Sequence, residues 1–333
     1  MGLHLTGHEN LSRLKYCFAI ANGKKKSCTF AQGMLQLRSI ALLNNSLSQE
    51  PLTMNKLRVT IALLLITLCA PTAVAQFLNF NLSQDFKVKT YNTQLSHGDM
   101  TYEISVDFPV SGPRPLIDSI RTHIFDRLFA YDSFSGDDDA SMTYKLPPLG
   151  TDLTSLLEKA GKKFIQDNLK ANSEMQESYP EYTISNSYLQ KIKLIAVTSN
   201  YVSFKFDGYY YSGGAHGMPW EFGLSFNCSN GKVITWEDLF TPNGLKILNP
   251  MIDYYLRAQY FADEEEGDIE FWCKQSELVD YASFPVLTQK GLTVHFSAYA
   301  IGPYAIGMPT CTIPYNVIAE FMTPFGKKLT HQR

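Results

Sequence analysis

No apolar run in the 333-residue chain is long enough to cross a bilayer; the longest, Val59 to Ala70, stops at Pro71 after twelve residues, where a spanning helix needs about 20. Charge is sparse, at 18%, and there is no basic block downstream of the first quarter to hold nucleic acid. Cysteines number only six, too few for a disulfide scaffold at this length. The motifs that announce chemistry are absent too. There is no H-E-x-x-H or H-x-H, no G-x-S-x-G elbow, no G-x-x-x-x-G-K-[ST] loop and no G-x-G-x-x-G after a strand, which leaves metal hydrolases, serine hydrolases and nucleotide enzymes without their signatures. No cofactor and no metal are expected.

What is present begins at an internal methionine. Met54-Asn55-Lys56-Leu57-Arg58 is a positive start, Val59 to Ala70 an apolar core, and Ala73-Val74-Ala75 a small-residue end before Gln76, the pattern of a secretory signal peptide. Residues 1–53 then read as an upstream extension outside the native protein, 54–75 as the signal, and the mature chain starts near Gln76. A basic tail with a short membrane anchor, and a lipidated Cys69, are the weaker readings of the same segment. Cleavage after Ala75 places the product in the periplasm, at the cell surface or outside, with no stable membrane span.

Setting residues 1–75 aside leaves 21 Lys+Arg against 30 Asp+Glu, a formal charge of −9, which suits a cationic partner and repels nucleic acid. Three cysteines remain, Cys228, Cys273 and Cys311, at spacings that match no zinc site. One disulfide with one thiol, and three separate thiols, both fit.

Along the mature chain, Phe86–Thr93 and Thr101–Phe108 form a hairpin about His97-Gly98-Asp99. Gly112-Pro113-Arg114-Pro115 starts a helix with Leu116, Ile117, Ile120, Ile124 and Leu128 on one face, and a second helix runs from Asp152 to Leu169. Val202, Phe204 and Phe206, then Phe222, Leu224 and Phe226, alternate with polar or small residues as half-buried strands do. Asn230-Gly231 is read as a hairpin turn into Lys232–Thr235, and Glu237 with Asp238 as charges opening a helix. A Pro250-containing helix follows, then an acidic patch, Asp263–Asp268, strands Val286–Thr288 and Leu292–Ala298, and a polar tail from Pro324 that should fray. Strands and helices do not alternate strictly, so the fold class is α+β, a largely antiparallel sheet with packed helices, in two subdomains. Their expected spans are 76–178 and 179–323, with 324–333 as the tail.

Two stretches stand out as candidate sites. Tyr209 to Phe222, YYYSGGAHGMPWEF, sets His216 among Tyr209, Tyr211, Gly213, Gly214 and Gly217. Tyr299 to Gly307, YAIGPYAIG, frames Tyr299 and Tyr304 with glycines. Each reads as either a packed turn or a ligand-facing wall. His295 alternates with Val294 and Phe296 as a satisfied strand residue.

Taken together, YYYSGGAHGMPWEFGLSFNCSNGKVITWEDLF and GLTVHFSAYAIGPYAIGMPTCTIPY resemble the extracytoplasmic domain of unknown function found in RsiV-type anti-sigma factors, over roughly residues 182–321. The preceding segment resembles the small α+β domain that accompanies it. The resemblance implies an exported, non-enzymatic binding module of the bacterial envelope that recognises lysozyme or peptidoglycan, with Tyr209, Tyr211, Gly213, Gly214, His216, Tyr299 and Tyr304 as contact residues. Two alternatives stay open: an envelope hydrolase with His216 as general base beside Tyr209, Tyr211 or Glu221, and an interaction scaffold without a ligand of its own.

Overall fold

The first hairpin is longer than its apolar pattern predicts. In the computed structural model, which describes residues 85–129, 144–180, 185–262 and 270–332, β1 (Lys87–His97) and β2 (Met100–Ser111) pair antiparallel across their full length. All these residues belong to one unit, Phe80–Arg333. The expected extension, the signal segment with its cleavage site and the acidic patch at 263–268 lie outside the described residues.

Pro115 sits in the first turn of α1 (Arg114–Leu128), where a missing N–H costs nothing, and Leu116, Ile117, Ile120, Ile124 and Leu128 point inward as their spacing predicts. Helix α2 (Thr154–Ser178) runs nine residues beyond the expected end at Leu169. It lies close on the hairpin because Gly161 has no side chain; a Cβ there would fall 2.6 Å from both Leu95 and Tyr102. The chain then returns as β3 (Asn186–Val197), parallel to β2, and continues antiparallel through β4 (Tyr201–Tyr211) and β5 (Met218–Asn227). The five-stranded sheet has the order β1-β2-β3-β4-β5. Its hydrogen bonding therefore runs across residue 178, joining the segments on either side.

One face of this sheet packs Tyr102, Ile104, Val106, Phe108, Phe204, Phe206 and Phe226 against α1 and α2. At its β4–β5 end the opposite face meets a second layer with its own core. That layer holds α3 (Trp236–Leu239), α4 (Pro242–Gln259), α5 (Leu278–Tyr281), and a three-stranded sheet of β6 (Val286–Leu287), β7 (Leu292–His295) and β8 (Thr310–Ile313), followed by α6 (Tyr315–Ile318) and α7 (Pro324–Leu329). Two buried serines fasten the layers: Ser203 Oγ donates to Leu287 O at 2.7 Å, and Leu287 N donates to Ser225 Oγ at 2.8 Å. The result is the expected α+β architecture with a mostly antiparallel sheet.

Two local expectations are corrected. Asn230-Gly231 does not lead into a strand, because only the single bridge Phe226–Val233 forms before Thr235 caps α3 in a reciprocal box with Asp238. The tail does not fray. Thr323 caps α7, Gly326 and Leu329 are buried, and Asn200 Nδ2 donates to the carbonyls of Lys328 and Leu329. Of the two cysteine readings the structure has the second, with Cys228, Cys273 and Cys311 as three separate free thiols; burial pushes Cys228 and Cys311 up to about 12. Among the described residues no helix is long and apolar enough to cross a membrane.

Candidate functional site

The β4–β5 connection is built by glycine. Gly213 and Gly214 take φ of 90° and 98°, a region other residues occupy only under strain, and Tyr211 Oη donates to Gly214 O at 2.9 Å to close the turn. Gly217 is a close approach: a Cβ there would stand 2.3 Å from the Tyr209 ring. Tyr209 and Tyr211 thus shape the loop, and the loop presents His216 at the surface.

His216 is held on both nitrogens. Nδ1 lies 3.0 Å from Gly217 O, which only accepts, so Nδ1 carries the proton; Nε2 is then free to accept from Tyr299 Oη at 3.2 Å. The ring also stacks on Tyr304 at 4.1 Å and 22°, and Tyr304 Oη donates to Gly217 O at 3.0 Å.

Tyr299 has φ of 67°, a left-handed conformation that costs a non-glycine residue about 1 to 2 kcal/mol. Its turn is closed by the bond from Ala300 N to Ser297 O at 2.9 Å. The ring lies 5.6 Å from Tyr304 and 6.4 Å from Trp272, the last pair inclined by only 26°. Trp272 is tied in through its backbone N–H, which donates to Ile301 O at 3.0 Å, and the residue is 62% exposed. Four rings therefore form a strip in the order Trp272, Tyr299, Tyr304, His216. The structure brings His216, Tyr299 and Tyr304 into direct contact. It places Tyr209, Tyr211, Gly213 and Gly214 behind them as the frame of the loop.

A charged cluster lies farther along the same two segments. Asp207 and Glu221 are cross-strand partners on β4 and β5, and Lys205 Nζ bridges them at 2.9 and 2.8 Å. His295, at the end of β7, meets Glu221 Oε1 through Nδ1 at 2.8 Å and Thr310 Oγ1 at 3.2 Å. The ionised carboxylate only accepts, so the His295 proton sits on Nδ1. Burial favours the neutral acid at Glu221, but hydrogen bonds and charge from His295 and Lys205 overcome it and hold the carboxyl down at about 2. Asp207 moves the other way, raised by burial, with Lys205 opposing and Glu221 adding to the rise. Lys205 is raised, since the two carboxylates outweigh its burial.

This cluster corrects one expectation. Glu221, a candidate partner for His216, pairs with His295 and Lys205 instead, and among the described residues no carboxylate hydrogen-bonds to His216. His295 is the satisfied strand residue its alternation suggests. Trp272 was not legible as a site residue, because nothing in its flanking sequence marks it; exposure of a large indole is the signal, and only the fold reveals it. No group of three or more histidine, cysteine, aspartate or glutamate side chains among the described residues is arranged to hold a metal.

Comparison with known proteins follows the same division. Residues 237–316 match the family described as DUF3298, protein of unknown function. A DUF3298 domain is present. Residues 97–219 match a second family, described as Deacetylase PdaC. The strip is thus assembled from both matches, His216 from the PdaC segment and Trp272, Tyr299 and Tyr304 from the DUF3298 domain. A crystal structure of a DUF3298 family member from Bacteroides fragilis is similar with a TM-score of 0.52 at 17% identity, covering 74% of this chain and 95% of that one. A DUF3298 family protein from Pseudomonas aeruginosa aligns with a TM-score of 0.45 at 15% identity, over 74% of this chain and 98% of its own. At 17% identity the likeness to the Bacteroides fragilis structure is one of fold alone. No curated protein matches the chain.

Proposed function

We propose that the protein is an exported binding module of the bacterial envelope, periplasmic, surface-bound or secreted, whose contact surface is the strip Trp272–Tyr299–Tyr304–His216 and whose ligand is a cell-wall glycan. The observation that carries this reading is a row of rings, exposed at its two ends, Trp272 and His216, and half-buried at Tyr299 and Tyr304, in contact with one another and fastened by hydrogen bonds. Trp272, the most exposed of them, offers a flat apolar face that its neighbours already hold in place, so little further entropy is lost on binding. Sugar rings present a matching face of C–H groups. The rings stack into a strip rather than surrounding a point, which suits a flat neutral ligand better than the aromatic box a cation prefers. The name of the family matched by residues 97–219, a deacetylase, supports an acetylated ligand, and N-acetyl sugars unite the two indications.

A cationic protein such as lysozyme is the second reading. It is supported by the −9 charge of residues 76–333 and by the family resemblance. General-base chemistry at His216 has little support, because both nitrogens are engaged and no carboxylate among the described residues orients the ring. Titrating residues 76–333 with an N-acetylglucosamine tetramer, with peptidoglycan sacculi and with lysozyme, each at two salt concentrations, separates these readings. Saturable glycan binding with little salt dependence is expected; salt-sensitive lysozyme binding without glycan binding favours the second reading, and neither sinks both.

A further inference from the structure

Two segments, residues 216–221 and residues 295–304, are joined twice. The outer connection is the one already described, Tyr299 Oη to His216 Nε2, Tyr304 Oη to Gly217 O, and the stack of His216 on Tyr304. The inner connection is Glu221 to His295. Glu221 is five residues beyond His216 on a strand that begins at Met218, and His295 is four residues before Tyr299. Both segments are short between their two attachment points, and the second is braced there by bonds from Phe296 N to Pro309 O and from Ala300 N to Ser297 O. Within the inner connection every polar neighbour is engaged: Lys205 and Asp207 face it from β4, Thr310 from β8. The His295 side chain is only 6% exposed and that of Glu221 15%, so the pair cannot be replaced by water at little cost.

We infer that Glu221, acting through His295, is a positioning residue for the ring strip: it sets the separation of the two segments and so brings the rings of Tyr299 and Tyr304 onto His216. The strained backbone at Tyr299 fits this assignment, since a non-glycine residue at φ of 67° persists only where its surroundings over-determine it. The claim concerns geometry, and only its effect on affinity rests on the glycan reading. Because coupling between sites is reciprocal, loosening either connection must be felt at the other.

The test uses residues 76–333 with histidine side-chain NMR. In the native protein the stack on Tyr304 is expected to place its ring current on the His216 signals. Glu221→Gln, which keeps the shape and removes the charge, is expected to move them toward those of an unstacked histidine, and to weaken binding of the N-acetylglucosamine tetramer about tenfold. Tyr299→Phe, a change at the surface, is expected to shift the His295 signals. If Glu221→Gln folds and leaves both the His216 signals and the affinity unchanged, the proposal is overturned. Should Glu221→Gln fail to fold, Tyr299→Phe decides alone, and unmoved His295 signals overturn it. If the native protein ignores the tetramer while the two histidines respond to each other's variants, the positioning role stands and the glycan reading falls.

Discussion

Replacing Glu221 by glutamine should make the protein less stable at neutral pH and erase the difference in acid. The carboxyl titrates at 4.5 in an unperturbed chain and at about 2 in the fold, a gap worth about 3 kcal/mol. Asp207, pushed up partly by Glu221 itself, returns some of this, so about 2 kcal/mol is expected at pH 7. The direction is fixed by linkage: a folded pKa below the unfolded one contributes fully above about 4.5, and the contribution is lost as pH falls through about 2. Urea denaturation followed by far-ultraviolet circular dichroism at pH 7, 5, 3 and 2 measures this. Native and Glu221→Gln proteins should differ by about 2 kcal/mol at pH 7 and nearly as much at pH 5, by about half of that near pH 3, and by almost nothing at pH 2. Equal stability at pH 7, or a gap that widens as the solution is acidified, would refute the reasoning.

The remaining predictions are more local. Gly223→Ala puts a Cβ 2.5 Å from Val286 Cγ2, where the second layer meets the sheet, and should lower stability by about 1 to 3 kcal/mol in thermal unfolding. Thr235→Ala removes the capping box of α3 and should cost about 1 kcal/mol by the same measurement. With Cys311 buried, Cys228 half-buried and both thiols pushed up to about 12, a thiol reagent at pH 8 should modify Cys273 first and Cys311 only on unfolding, as peptide mass mapping will show.

Much of the scaffold is legible in the sequence because its cause is local. Alternation in Val202, Phe204 and Phe206 marks a strand and the face it turns to the helices, though not the burial of Ser203 on its other face beneath the second layer, and the spacing from Leu116 to Leu128 marks one helical stripe. The elements that escape are those whose cause is distant. Strand β8 is four residues long and is defined by its pairing with β7, and α7 is held by Asn200, more than a hundred residues earlier. The Asn230-Gly231 turn illustrates the reverse: a good local hairpin signal is overridden when Thr235 begins a helix.

The site divides in the same way. Glycines at positive φ and a lone histidine can be recognised from the loop Ser212–Gly217, and tyrosines framed by glycine from residues 299–307. Their meeting is tertiary, bridging 83 residues between His216 and Tyr299. The Glu221–His295 pair bridges 74 residues, and each partner looks ordinary on its own strand. Trp272 joins the strip only through the turn that carries Ile301.

The central claim is that the ring strip is a glycan-contact surface, and Trp272→Ala tests it most directly. The indole is exposed, so its loss should leave the melting temperature nearly unchanged. Isothermal titration of the native and Trp272→Ala proteins with the N-acetylglucosamine tetramer should show binding that falls about tenfold or more in the variant, the loss expected when a contact ring is removed. Native binding that is indifferent to this substitution, or no binding in the native protein, would contradict the account.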